Sequence, residues 1–206
     1  MNNCIPIIDC LNIDFSSITE KREIVALHET GHLIAMYALD LMKFFNGIDI
    51  IKRDGLLGLT DMAPNFANEM QDYANYFATL AGRINQSGEV LNAFISAQYL
   101  QGMKLYLPHI CRLFAGGSIT RYYGISADYL CQKDRTYIFD ILRQYQLDNQ
   151  IDKIQSLIDQ FLKGIFSYYD TLIKAIYKNL LENEQLSVDD VNFIIDKWKS
   201  GYPNFV

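Results

Sequence analysis

The chain has 206 residues, half of them apolar and 20% charged, which suits a globular protein with one substantial core. The formal net charge of −6 excludes the basic footprint of a nucleic-acid binder. No apolar run approaches the ~18 residues that a membrane-spanning helix needs, and Met1-Asn2-Asn3-Cys4 lacks the basic start of a signal peptide.

In chain order, residues 1–16 read as an arm or short strand. Ser17 followed by Glu20 has the pattern of a capping box, and a helix is expected from there to about Met42. Gly31 inside that helix costs about 1 kcal/mol relative to Ala, which points to a close approach there. Ile48-Asp49-Ile50-Ile51 reads as a short strand, followed by a turn at Gly55 and Gly58. Residues 64–103 are helical in pattern but polar. A helix over Leu105–Arg112, with Pro108 in its first turn, is expected to run into Gly116-Gly117 and on towards Tyr123. Gly124–Lys133 reads as loop, and Asp134 opens an apolar-periodic segment through Tyr145. Helices are expected at 150–164 and 165–183, with a last one behind a second capping pattern at Ser187 and Asp190. The predicted fold is mainly α in a single domain. It has a small β element beside the first helix and a C-terminal helical bundle over 146–206.

Of the three histidines, His28 and His32 stand four positions apart, in the sequence His28-Glu29-Thr30-Gly31-His32. On a helix this spacing puts both imidazoles on one face, where they can share one metal ion. Glu29 is offset so as to reach a water on that ion without binding it. That is the arrangement of a zinc peptidase, with Glu29 as general base. A bare HExxH also occurs by chance on ordinary surface helices. Here the flanks are apolar, Ile24–Leu27 before and Leu33–Ala35 after, so the helix is expected to be buried. A buried glutamate is costly unless it has chemistry to do.

The segment Glu23-Ile-Val-Ala-Leu-His-Glu-Thr-Gly-His-Leu-Ile-Ala35 resembles the active-site helix of FtsH-type ATP-dependent zinc proteases. Three further segments resemble that family in the family's order: Ile48–Thr60, Leu113–Gly124 and Leu180–Val191. The resemblance implies a zinc ion held by His28, His32 and a third, aspartate ligand. Loop length from Gly124 puts that ligand at Asp134, with Asp128 as the competitor. It also implies hydrolysis of internal peptide bonds, with an edge strand near residues 48–52 aligning the substrate. No GxxxxGK[ST] motif occurs, so the resemblance covers a peptidase part alone. The expected partner is therefore an unfolded protein or peptide, free or brought by a separate unfoldase or adaptor. The family's polar pair after its two glycines is replaced here by Gly116-Gly-Ser-Ile-Thr-Arg121. Residues 62–104 form an apparent insertion, within which Leu80-Ala-Gly-Arg83 echoes the glycine segment without a suitable Asp behind it.

His109 reads as a core or supporting histidine, Cys131 as a poor zinc ligand, and Tyr122 and Tyr123 as packing residues. None of Cys4, Cys10, Cys111 and Cys131 form a CxxC pair, and reduced thiols in a cytoplasmic setting are expected. Two alternatives stand beside the peptidase. One is a catalytically inactive zinc-binding relative that acts as an adaptor. The other is a helical interaction protein in which HExxH is accidental, with His28 and His32 pointing apart. A closed symmetric dimer is only the generic expectation for oligomeric state.

Overall fold

The computed structural model describes residues 10–53, 56–63 and 107–201. Among these the chain is mainly helical, with one three-stranded antiparallel sheet. The elements in order are α1 (Lys21–Ala38), β1 (Phe45–Asp49), β2 (Leu59–Met62), α2 (Leu107–Tyr122), α3 (Gln132–Gln144), α4 (Ile151–Tyr168), α5 (Asp170–Asn183), β3 (Gln185–Ser187) and α6 (Val188–Gly201). The expected insertion, apart from Met62 and Ala63, lies outside the described residues, as do residues 1–9 of the arm and the Leu80–Arg83 echo.

Helix α1 starts later and ends earlier than its pattern suggests. Ser17 closes a short 3-10 turn, Phe15–Ser17, capped by the Asp14 carboxylate. The Ser17 hydroxyl donates to Asp14 O at 2.8 Å instead of capping a helix. Glu20 is the residue before α1 and makes no side-chain cap. At the other end Asp40 is left-handed, with φ 56°. Leu41 N–H donates to Met36 O at 2.8 Å and Asp40 N–H to Tyr37 O at 3.3 Å, the paired bonds of a Schellman stop.

α1 is buried nearly all round, and its most extensive contact is with α2. The two helices pass closely at Gly31. A Cβ there would lie 2.5 Å from Ile119 Cγ2 and 2.7 Å from Ala115 O, so the glycine expected to mark a close approach does so. The glycine pair at 116 and 117 does not end a helix. α2 runs through it to Tyr122, with Pro108 in its first turn where a missing N–H costs nothing.

The sheet order is β2-β1-β3. Ile48 faces Thr60 on one side and Leu186 on the other, which ties the first third of the chain to its end. The strand expected at 48–51 is therefore centred earlier, at 45–49, and it is central. Its hydrogen bonds are used on both sides, so the edge expected near 48–52 is not open; among the described residues β2 and β3 form the edges of the sheet. After α5 the chain turns at Glu184, φ 62°, an uncommon conformation for a non-glycine residue. Three contacts hold it: Glu184 N–H to Leu180 O at 2.9 Å, Ile50 N–H to Glu184 O at 2.8 Å, and Arg22 Nη2 to Glu184 Oε1 at 3.1 Å.

The second capping pattern forms as expected. Ser187 N–H donates to Asp190 Oδ2 at 3.0 Å, and Asp190 N–H donates to Ser187 Oγ at 3.2 Å. α4 and α5 divide at Tyr169 rather than near 164, because apolar residues continue α4's buried stripe through Ile165 and Phe166. The core is continuous from α1 and α2 into α4, α5 and α6, with Leu27, Ile34, Ile119, Ile165, Ile176 and Val191 all fully buried.

Candidate metal centre

α1 carries His28, Glu29 and His32 on consecutive turns, all of them buried. α3 brings in Asp134 from its first turn, two residues after the helix start at Gln132. The loop expected before Asp134 is partly a 3-10 turn, Asp128–Cys131, that leads straight into α3.

Potential ligand atoms of His28, His32 and Asp134 all lie within 4.8 Å of one another. The two Nε2 atoms are 3.0 Å apart, and Asp134 Oδ2 is 3.5 Å from one and 3.4 Å from the other. Asp128, the competitor, lies 3.7 Å from Arg121 with a largely exposed side chain, and is not in the group. Nor is Cys131, whose Sγ would meet a Cβ on Gly117 at 2.6 Å. Burial pushes the Cys131 thiol up to about 11 and Asp134 adds to this, which disfavours a thiolate. His109 sits on α2 outside the group, and burial pulls its pKa down to about 3.

Whether these residues suit a metal can be judged from their donors. His32 Nδ1 lies 2.7 Å from Arg112 O. In the tautomer that donates there, Nε2 turns a lone pair inward, the usual arrangement of a ligating histidine. His28 Nδ1 is buried and makes no hydrogen bond among the described residues. Two imidazole nitrogens and a carboxylate oxygen thus face one another across a space with too few protons to satisfy them. A cation resolves this, and the His/His/Asp set suits zinc or a similar divalent ion. Gly116 keeps that space open. A Cβ on it would lie 2.5 Å from His32 Nε2 and 2.6 Å from His28 Nε2.

Burial by itself would raise the Asp134 carboxyl, but without an ion, and with the two imidazoles protonated, the charge of His32 and hydrogen bonds from both histidines outweigh it. They hold the group well below the usual carboxylate range. Glu29 goes the other way. Burial raises its pKa to about 7, against the opposing pull of His28 and a bond from Thr60. Thr60 Oγ1, on β2, donates to Glu29 Oε2 at 2.8 Å and lies 3.1 Å from Glu29 O. Oε1 makes no such bond to Thr60.

No protein-family model matches the chain. No curated protein matches it either.

Four supporting residues were not singled out for any role in the sequence. Thr60 stood only as the last residue of a quoted segment. Arg112 acts through its carbonyl, and a carbonyl leaves no mark on residue type. Ser118 and Arg121, at the positions where the polar pair of the resembled segment is altered, turn toward α4 and both meet Asp159, with Arg121 Nη2 2.9 Å from its Oδ1.

Proposed function

We propose that the chain is a zinc-dependent endopeptidase of the kind its HExxH helix resembles. The observation that carries this reading is the convergence of His28, His32 and Asp134 beside Glu29. His28, His32 and Asp134 would hold the ion. When bound, zinc would polarise a scissile carbonyl and acidify a water. Glu29 would take a proton at Oε1 while Thr60 fixes Oε2, and would then pass it to the leaving amine. A pKa near 7 suits a group that must both accept and release a proton close to neutrality. β2, which carries Thr60, is an edge strand among the described residues and would offer main-chain groups to an extended peptide.

One observation favours a second reading, an inactive zinc-binding adaptor. Glu29 is only 7% exposed and His28 only 4%. A single experiment separates the readings. Elemental analysis gives zinc per chain for wild type and Asp134→Ala, and a labelled casein assay compares wild type with Glu29→Gln. The peptidase reading expects near one zinc in wild type, a clear loss in Asp134→Ala, and cleavage that disappears in Glu29→Gln. Zinc without cleavage would favour the adaptor. No zinc would leave the resemblance as ancestry alone.

A further inference from the structure

The guanidinium of Arg112 differs from every other among the described residues. Arg22, Arg53, Arg121 and Arg135 each pair with a carboxylate, and Arg143 lies over the Phe139 ring. Arg112 makes no ion pair among the described residues, and its Nε is buried without a hydrogen-bond partner there. A cation held inside a protein without a partner is costly, and an anion that supplies the missing bonds relieves it.

The place of this cation is informative. Arg112 stands on α2 one turn before Gly116, and residues four apart share a helix face. Gly116 abuts the Nε2 atoms of His28 and His32, so Arg112 lies on the side of α2 that fronts the candidate metal centre. Burial pulls its pKa below the ordinary value, and the charges of Asp134 and Glu29 oppose this, so both carboxylates are within electrostatic reach. Neither is free to bind it. Asp134 meets the two imidazoles, and Glu29 Oε2 takes its bond from Thr60. Charge points the same way. A divalent ion on two neutral imidazoles and Asp134 would be balanced with Glu29 ionised, and Arg112 leaves one positive charge in excess.

We infer that Arg112 is the anion-binding residue of the centre: its guanidinium takes a negatively charged oxygen of the polypeptide that the site receives. The inference rests on the peptidase reading for that ligand class. Two sources suit a guanidinium fork, the scissile carbonyl oxygen as its carbon turns tetrahedral and a C-terminal carboxylate.

Three hydrolysis-inert analogues of acetylated pentaalanine separate them, each altered between the last two residues. The first has a ketomethylene group there and a C-terminal amide, and is neutral. The second has the same ketomethylene and a free C-terminal carboxylate. The third has an anionic phosphinic group and a C-terminal amide. Isothermal titration compares zinc-loaded wild type, Arg112→Gln and Arg112→Met, after zinc content and circular dichroism are shown to be unchanged in at least one variant. Any substitution at 112 keeps the carbonyl that meets His32. Wild type is expected to bind at least one anionic analogue roughly tenfold or more tighter than the neutral one. A phosphinic preference marks the first source and a carboxylate preference the second. Both variants should lower that preference by roughly tenfold and leave the affinity for the neutral analogue as it was. Lys163 is exposed and lines the cavity between α2, α3 and α4 that Asp134 also borders, and Lys163→Gln should leave the preference intact.

The inference is overturned if wild type prefers neither anion, if the folded variants keep the wild-type preference, or if all three analogues weaken alike. If the preference falls with Arg112 while wild type cleaves no casein, hydrolysis fails and the anion site stands. If wild type cleaves casein, and the variants cleave and bind as it does, Arg112 fails and the peptidase stands.

Discussion

At the scale of single residues, the candidate centre depends on a glycine as much as on its donors. Gly116→Ala places a methyl against both Nε2 atoms. It is expected to lower zinc affinity by more than tenfold while the chain still folds. Isothermal titration with zinc, alongside circular dichroism, checks this, and unchanged affinity would mean that the imidazoles do not face the ion across that space. Glu29→Gln keeps the ligands and removes the base. It is expected to keep its zinc and lose roughly 10²- to 10⁴-fold in kcat, with KM little changed. The same residue sets a pH dependence in chelator-treated protein. Its pKa is about 7 folded, against an ordinary 4.5, so the folded chain holds a proton that the unfolded chain has released. Stability from that group is fully present below about 4.5 and is lost as pH rises through 7, by roughly 3 kcal/mol at most. Urea unfolding in EDTA should show wild type falling relative to Glu29→Gln between pH 4.5 and 8. A constant difference would count against a buried carboxyl there.

At the scale of elements, the ends of helices are where pattern and structure part. Ser187 and Asp190 cap each other as their spacing suggests, and Ser187→Ala is expected to cost about 1 kcal/mol in urea unfolding. Ser17 and Glu20 show the same spacing and form no cap, because Asp14 has already drawn Ser16 and Ser17 into a 3-10 turn. A cap is a competition between nearby donors, and residue spacing alone does not decide it. The glycine pair in α2 shows the same dependence on surroundings. Glycine is a frequent helix stop, but at 116 and 117 small size is needed where the helix faces His28, His32 and Cys131. β1 was placed three residues late because its alternation is weak, and its extent is set by partners from both ends of the chain.

At the scale of the whole molecule, a bound ion would link α1 to α3, two elements brought together only by the fold. A metal that binds the folded chain and not the unfolded one raises stability by mass action, about 2.7 kcal/mol at a hundredfold excess over Kd. Excess EDTA is therefore expected to lower the Tm of wild type by several degrees. Asp134→Ala should melt at the same temperature with and without it. Differential scanning calorimetry makes the comparison, and an EDTA shift that persists in Asp134→Ala would place the metal elsewhere. No helix among the described residues is long and apolar enough to cross a membrane, in keeping with the hydropathy of the chain.

The helical class, the buried HExxH helix and the capped start of the last helix were determined by sequence alone, because each rests on local periodicity or on contacts within one turn. Asp134 was already preferred to Asp128 on loop length in the resembled family; tertiary structure adds that Asp134, and not Asp128 six positions before it, lies with the two histidines, through the packing of α3 against α2. Only tertiary structure decided Thr60 on Glu29, the Arg112 carbonyl behind His32 and the cavity beside Asp134. Each is a meeting of residues distant along the chain, and such meetings are set by packing, which residue spacing does not encode.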